Sequence, residues 1–290
     1  MCAVYRLSDH EVLKIYNADK SYEDICLIAK SIRTLNGLGI PVNEIYEIVK
    51  TDLSYGIVFE YIEGKTIGEL VSNDPKTVKE YGHSIGKLFK QMHKTEVAED
   101  DLCCIKNRLI ENIDKAIEKR LFKNSDREYL IAFLNMIPDE RKVLHCDFHE
   151  GNIMMRDGKT ILIDLESVCC GNPLFDLAYH FMNHVLVIFA GKLCKEALGL
   201  KPYYALKMYK YTLCEYFAEN LSIRIFFKKI LPLEIFLVML NPASLEGSEM
   251  IEERKLMKFL MQKVQRIGMM YIKHFLRKGV NPFMADNRIL

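Results

Sequence analysis

The sequence predicts an α+β chain with a small β-rich lobe over residues 1–62 and a larger helical lobe over residues 63–290. Three observations predict this. Short β-type runs interrupted by a single helical segment fill the first part. The step Glu63-Gly64 ends that pattern. Beyond it, apolar residues recur at helical spacing, except where short strands bracket one loop.

In the first part, Ala3–Leu7 and Val12–Tyr16 flank the turn-forming Ser8-Asp9-His10 and predict a hairpin. Ser21–Leu35 carries apolar residues at 25, 28, 32 and 35, a helical period ended by Gly37, Gly39 and Pro41. Ile45–Val49 and Tyr55–Tyr61 are the next two strands. In the second part, apolar residues at 78, 81, 85, 88, 89 and 92 mark an amphipathic helix from Pro75 to His93. Helices are expected over 105–119 and 126–136. The strands Val143–His145, Ile153–Met155 and Thr160–Ile163 follow, the last two joined by the turn pair Asp157-Gly158. From Pro173 onward the chain reads as helical, most clearly near 173–189, 203–219 and 252–277.

The 290 residues correspond to roughly two domains at about 150 residues each. Half of them are hydrophobic, enough for a sizeable core. Lys and Arg number 40 against 39 Asp and Glu, which argues against a general nucleic-acid binder. The nine cysteines include two adjacent pairs, Cys103-Cys104 and Cys169-Cys170, and no C-x-x-C. That pattern predicts reduced thiols and a cytoplasmic protein. The start lacks a basic segment followed by an apolar one, so no signal peptide is expected. The apolar runs around Val185–Gly191 and Ile230–Leu240 are shorter than the roughly 18 residues of a membrane span.

The chemistry is concentrated in His145-Cys146-Asp147-Phe148-His149-Glu150-Gly151-Asn152, followed by Asp164 in Ile-Leu-Ile-Asp-Leu-Glu. Phosphoryl transfer needs a carboxylate to orient the attacking hydroxyl and accept its proton, and oxygen ligands to hold Mg²⁺ against phosphate oxygens. Asp147 suits the first task, and Asn152 with Asp164 the second. The spacing H-x-D-x-x-x-x-N matches a protein-kinase catalytic loop. Lys14, inside the apolar Val-Leu-Lys-Ile-Tyr, is the expected phosphate-contacting lysine. Glu60, Tyr61 and Ile62 form the expected hinge, whose backbone reads the adenine edge. Asp176, opening an apolar helix, is expected to hold the catalytic loop through backbone N–H groups.

Together these segments resemble the aminoglycoside phosphotransferase and choline kinase-like superfamily. The match is nearest to its bacterial branch of sugar, choline and lipopolysaccharide-related kinases. It runs from about Cys2 to Ala190. VYRLSDHEVLKIYN resembles the strand pair with the ATP lysine, and LGIPVNEIYEIV the segment after the first helix. YGIVFEYIEGKTI resembles the hinge. VLHCDFHEGNIMM, ILIDLES and GNPLFDLA resemble the catalytic, metal-binding and following motifs. The resemblance implies a bilobal, protein-kinase-like fold, ATP and Mg²⁺ as cofactors, and a small-molecule hydroxyl as acceptor. It also makes His145 a loop-packing histidine and His93 a structural one.

Three departures stand out. No glycine precedes Gly37, so the family's first strand and phosphate-covering loop are missing and the lobe reads as truncated or shortened. Ile28 stands where a carboxylate should meet Lys14; Glu23 lies more than one turn earlier as a candidate substitute, and the sequence does not name the lysine's partner. Cys146 replaces the usual glycine between His and Asp. These departures support an alternative, a catalytically impaired nucleotide- or ligand-binding relative of the same fold. A third reading is a metal-dependent hydrolase built on His145, Asp147, His149, His180 and His184, although Phe181 stands where H-E-x-x-H has its glutamate. Glu215 and Glu219 share a helix face and are expected to be solvated rather than to meet a cationic substrate.

Overall fold

The computed structural model describes residues 3–52, 54–186, 198–217, 223–240, 251–279 and 281–283. The chain is mixed α+β, with a small sheet-rich N-terminal part followed by a larger helical part. The first part holds β1 (Ala3–Arg6), β2 (Glu11–Ile15), α1 (Tyr22–Gly37), β3 (Ile45–Lys50) and β4 (Tyr55–Glu60). The strands make one antiparallel sheet in the order β1-β2-β4-β3. β4 is central and most buried, with Ile57, Val58 and Phe59 all below one-tenth exposure. Its Gly56 lets β2 approach, since a Cβ there would stand 3.0 Å from the Lys14 carbonyl.

α1 starts with a reciprocal capping box, in which the Ser21 hydroxyl accepts from the Asp24 N–H and the Asp24 carboxylate accepts from the Ser21 N–H. It buries Ile25, Ile28, Ala29, Ile32 and Leu35, the face expected from the apolar period. The chain leaves it through Gly39 at φ +74°, a left-handed turn suited to glycine.

The second part begins with a short helix, α2 (Ile67–Asn73), that the apolar period did not mark. Its start is another capping box, Thr66 with Glu69. α3 (Val78–Lys94) is the central helix and buries Ile85, Leu88, Phe89 and Met92. α4 (Ile105–Glu118) and α5 (Arg127–Leu134) follow; Asp126 belongs to a 3₁₀ turn before α5 instead of to the helix. Two small sheets come next. β5 (Lys142–Leu144) pairs with β8 (Cys169–Gly171), and β6 (Ile153–Arg156) pairs with β7 (Lys159–Leu162). Asp157 and Gly158 both have positive φ, as a two-residue hairpin turn requires.

α6 (Leu174–Phe181) runs into a π-helical turn at Met182–Leu186. The rest of the expected 173–189 helix lies outside the described residues. α7 (Pro202–Tyr216), α8 (Ile223–Leu240) and α9 (Ile251–Lys278) complete the fold. α3 and α7 touch through two glycines on α3. A Cβ on Gly82 would meet the Tyr211 Cβ at 2.6 Å, and one on Gly86 would meet the Thr212 carbonyl at 2.6 Å. Among the described residues no helix is long and apolar enough to cross a membrane.

Candidate active site

The 145–152 loop leaves β5 and enters β6, and one carboxylate fixes its start. Asp176, in the first turn of α6 and fully buried, accepts the His145 N–H at 2.7 Å and the Cys146 N–H at 2.6 Å. His93 at the end of α3 lies 3.1 Å from the same carboxylate, and its other ring nitrogen lies 2.8 Å from the Tyr216 hydroxyl. Cys146 takes φ +62°, the left-handed region where glycine is favoured, and its thiol lies 3.3 Å from that of Cys169.

Asp147 follows with its side chain about half exposed. The Asn152 side-chain amide donates to the Asp147 carbonyl at 3.0 Å and to its carboxylate at 3.2 Å. Asn183, in the π-helical turn, donates to the other carboxylate oxygen at 3.3 Å. With its nitrogen so engaged, the Asn152 side chain keeps its oxygen for another partner. The Ile163 N–H bonds the Asn152 carbonyl at 3.0 Å, so the β6–β7 hairpin brings Asp164 back beside Asn152. Asp164 itself sits at φ +57°. The sequence thus places an acid, an amide and a second acid on adjoining backbone. The two oxygen donors, Asn152 and Asp164, fit a hard divalent cation such as Mg²⁺.

Lys14 reaches this group from β2. Its ammonium lies 2.8 Å from Asp164 Oδ1 and 2.5 Å from Glu166 Oε1. Burial lowers the Lys14 pKa, but the hydrogen bonds and charges of the two carboxylates outweigh it and hold the ammonium above its ordinary value of 10.5. The candidate substitute, Glu23, is exposed at the solvent side of α1, while Ile28 packs in the core. The lysine's partners therefore come from the Asp164 segment, not from α1. Glu166 was missed in sequence: it lies in a turn two residues after the left-handed Asp164, and nearness to that acid in the chain is the only signal it carries. For Asn183 the sequence carries no comparable signal.

A cavity of about 460 Å³ opens between the sheet and this group. Lys14, Glu60, Tyr61 and Ile62 line it together with Asp164 and Glu166. The Glu60 side chain is itself engaged by Arg156 on β6. The Tyr61 N–H is taken by the His10 carbonyl at 2.8 Å, whereas the Ile62 N–H has no partner among the described residues.

The histidines do not assemble a metal centre. His180 Nδ1 lies 3.0 Å from the Phe148 carbonyl, and His184 Nε2 lies 2.8 Å from buried Glu150. Burial, then the nearby His184, pushes the His180 pKa down. His149 is also lowered by burial, against the pull of Asp147 and Glu150. Among the described residues no group of three or more His, Cys, Asp or Glu side chains is placed to hold a metal. That overturns the hydrolase reading. Glu215 is half-buried and lies 2.9 Å from His83, and Glu219 lies outside the described residues. Glu215 is therefore engaged and not simply solvated.

The chain belongs to the phosphotransferase enzyme family, whose family model matches residues 3–198. No curated protein matches it. Solved structures share its fold. Aminoglycoside phosphotransferase APH(4)-Ia superposes with a TM-score of 0.56 at 12% identity, over 97% of this chain and 94% of that one. A choline/ethanolamine kinase family protein from Mesorhizobium loti gives 0.51 at 13% identity, over 97% and 86%. APH(2'')-IIa in complex with gentamicin gives 0.54 at 14%, over 93% and 87%.

Proposed function

We propose that the chain is an ATP-dependent small-molecule kinase, with residues 1–62 as its nucleotide lobe and residues 63–290 as its helical lobe. The observation that carries this is the approach of Lys14 on β2 to Asp164 at the mouth of the inter-lobe cavity, with Asn152 and Asp147 adjoining. ATP occupies that cavity. The Ile62 N–H and the backbone of Glu60 and Tyr61 face the adenine edge, and Lys14 turns from the carboxylates to the α- and β-phosphates. A structural neighbour, a thermostable mutant of APH(4)-Ia, was solved as a ternary complex with AMP-PNP and hygromycin B, which supports nucleotide binding.

Asn152 Oδ1 and the Asp164 carboxylate would hold Mg²⁺. When bound, the ion offsets charge on the phosphate oxygens. Asp147 accepts the acceptor hydroxyl's proton as that oxygen attacks the γ-phosphorus. One P–O bond forms to the acceptor, the bond to the bridging oxygen of ADP breaks, and a phosphomonoester leaves. Asn152 and Asn183 keep the Asp147 carboxylate oriented for this role. The acceptor is a hydroxyl compound such as a sugar, amino sugar, choline-like alcohol or aminoglycoside. Use of ATP and unpaired thiols fit a cytoplasmic setting.

The test is Asp147→Ala. Turnover should fall by about 100-fold or more, while AMP-PNP affinity stays near that of the wild type. Full activity in this variant removes Asp147 as the base. Nucleotide binding without turnover in the wild type would favour the catalytically impaired alternative.

A further inference from the structure

A second cavity, of about 520 Å³, lies on the far side of the Asp164 segment. Cys146, next to Asp147, forms part of its wall, and Glu166 borders both this cavity and the inter-lobe one. The two cavities therefore adjoin at Glu166. The chemistry of the second is unusual for a pocket awaiting an aminoglycoside or choline, both cationic. Lys20, Arg108, Lys115 and Lys119 line it, with Asn112 and Ser167 between them. Among the described residues the one carboxylate in the wall is Glu166, whose charge Lys14 already faces at 2.5 Å.

Residues 108, 112 and 115 of α4 fall on one side of the helix by their spacing, and Lys119 caps its C-terminal end. Cations at the C-terminal end of a helix complement its dipole, which gives Lys115 and Lys119 an ordinary structural reason to be there. Arg108 has none. It stands in the first turn of α4, where the dipole disfavours a cation, and is half-buried. Its guanidinium is steadied by the Ser167 carbonyl at 2.7 Å and the Cys169 thiol at 3.6 Å, both neutral acceptors. Among the described residues no carboxylate makes an ion pair with Arg108, Lys20, Lys115 or Lys119. The neighbouring cavity does carry Asp24, Asp100, Asp101 and Glu111. Asp24 is engaged in the α1 cap, and none of the four reaches these cations within ion-pair distance.

We infer that this cavity binds the anionic group, phosphate or carboxylate, of a hydroxylated acceptor, and that the chain phosphorylates an acidic small molecule instead of a cationic one. The inference rests on the kinase reading for its chemistry, and the step is unchanged. The acceptor hydroxyl loses its proton to Asp147, gains the γ-phosphoryl group, and ADP leaves. Arg108, Lys115 and Lys119 bind the distal anion and position the hydroxyl.

Two measurements on the full chain test this. First, inorganic phosphate is titrated calorimetrically into protein saturated with AMP-PNP and Mg²⁺, so that the nucleotide cavity is filled. The wild type should bind phosphate about tenfold more tightly than the Lys115→Gln/Lys119→Gln double variant, a loss of the size expected for charge-assisted contacts. No binding to the wild type, or equal binding to both, overturns the anion site. Second, ADP release is followed with glucose, glucose 6-phosphate, glucuronate and glucosamine. Acceleration by glucose 6-phosphate but not glucuronate identifies phosphate as the recognised group, and the reverse identifies carboxylate. Glucosamine outpacing both acidic sugars also overturns the proposal. If AMP-PNP does not bind at all while phosphate still does, the kinase reading fails and the anion site stands.

Discussion

Lys14 and Glu166, far apart in the chain, lie 2.5 Å from each other in the wall of the cavity beneath the N-terminal sheet. Together with Asp164 they give the N-terminal sheet and the 164–166 segment a charged contact. Because the Lys14 pKa is raised, its contribution to stability is fully present below the unfolded value of 10.5 and is lost as pH rises through the higher folded value. Lys14→Met, which leaves two carboxylates facing each other, should therefore unfold at lower urea than the wild type. The gap should hold from neutral pH to about pH 10 and close above it. A gap that shrinks already near neutrality would contradict this. Nucleotide affinity should fall in the same variant, measured by AMP-PNP titration.

Asp176 accepts two backbone N–H groups and faces His93 while fully buried. Asp176→Ala strands those groups away from water. A loss of about 3–4 kcal/mol is expected from urea denaturation. Turnover should be lost as well, because the 145–152 loop no longer has a fixed start. A loss below 1 kcal/mol would mean that water or a neighbouring side chain replaces the carboxylate.

Glu150 and His184 form a buried pair. Burial raises the Glu150 pKa, yet the His184 charge and hydrogen bond outweigh it and hold the carboxyl below its usual 4.5. Burial lowers His184, yet Glu150 outweighs it and holds the imidazole above its usual 6.5. The Glu150 contribution is complete above pH 4.5 and lost as pH falls through its folded pKa; the His184 contribution is complete below pH 6.5 and lost as pH rises through its folded pKa. The stability gap between the wild type and Glu150→Gln should then be widest between about pH 4.5 and 6.5 and narrow on both sides. Denaturation midpoints over pH 4 to 9 check it, and a gap independent of pH would contradict the pair.

Gly86→Ala sets two effects against each other. Alanine favours a helix over glycine by about 1 kcal/mol. The new Cβ, however, would meet the Thr212 carbonyl and Glu215 Cβ at 2.6 Å, both on α7. Overpacking of this kind costs about 1–3 kcal/mol, so the variant should be less stable. A more stable variant would show that α3 and α7 can separate without loss.

Much of this was legible in the residues themselves. The apolar periods at 25, 28, 32 and 35, and at 85, 88, 89 and 92, became the buried faces of α1 and α3 because burial fixes a helix's rotation. The turn residues of Asp157-Gly158 set a hairpin that returns Asp164 to Asn152. What was hidden depended on distant pairing. β8 is three residues long and exists only because β5 lies beside it. α2 is too short for a period, and only the Thr66-Glu69 cap announces it. Glu166 gains its role through a lysine on another sheet, so no local pattern marks it.

Cys146 shows what the Asp176 contact makes possible. Holding a side chain at left-handed φ costs about 1–2 kcal/mol, and two hydrogen bonds to a buried carboxylate, at about 1.5–3 kcal/mol each, can cover that. The carboxylate grips main chain, so it does not discriminate among the residues that supply it. Glycine at this point of the motif is thus a convenience and not a necessity. A turn held from outside by a buried acid can accept a side chain where an unsupported turn would demand glycine.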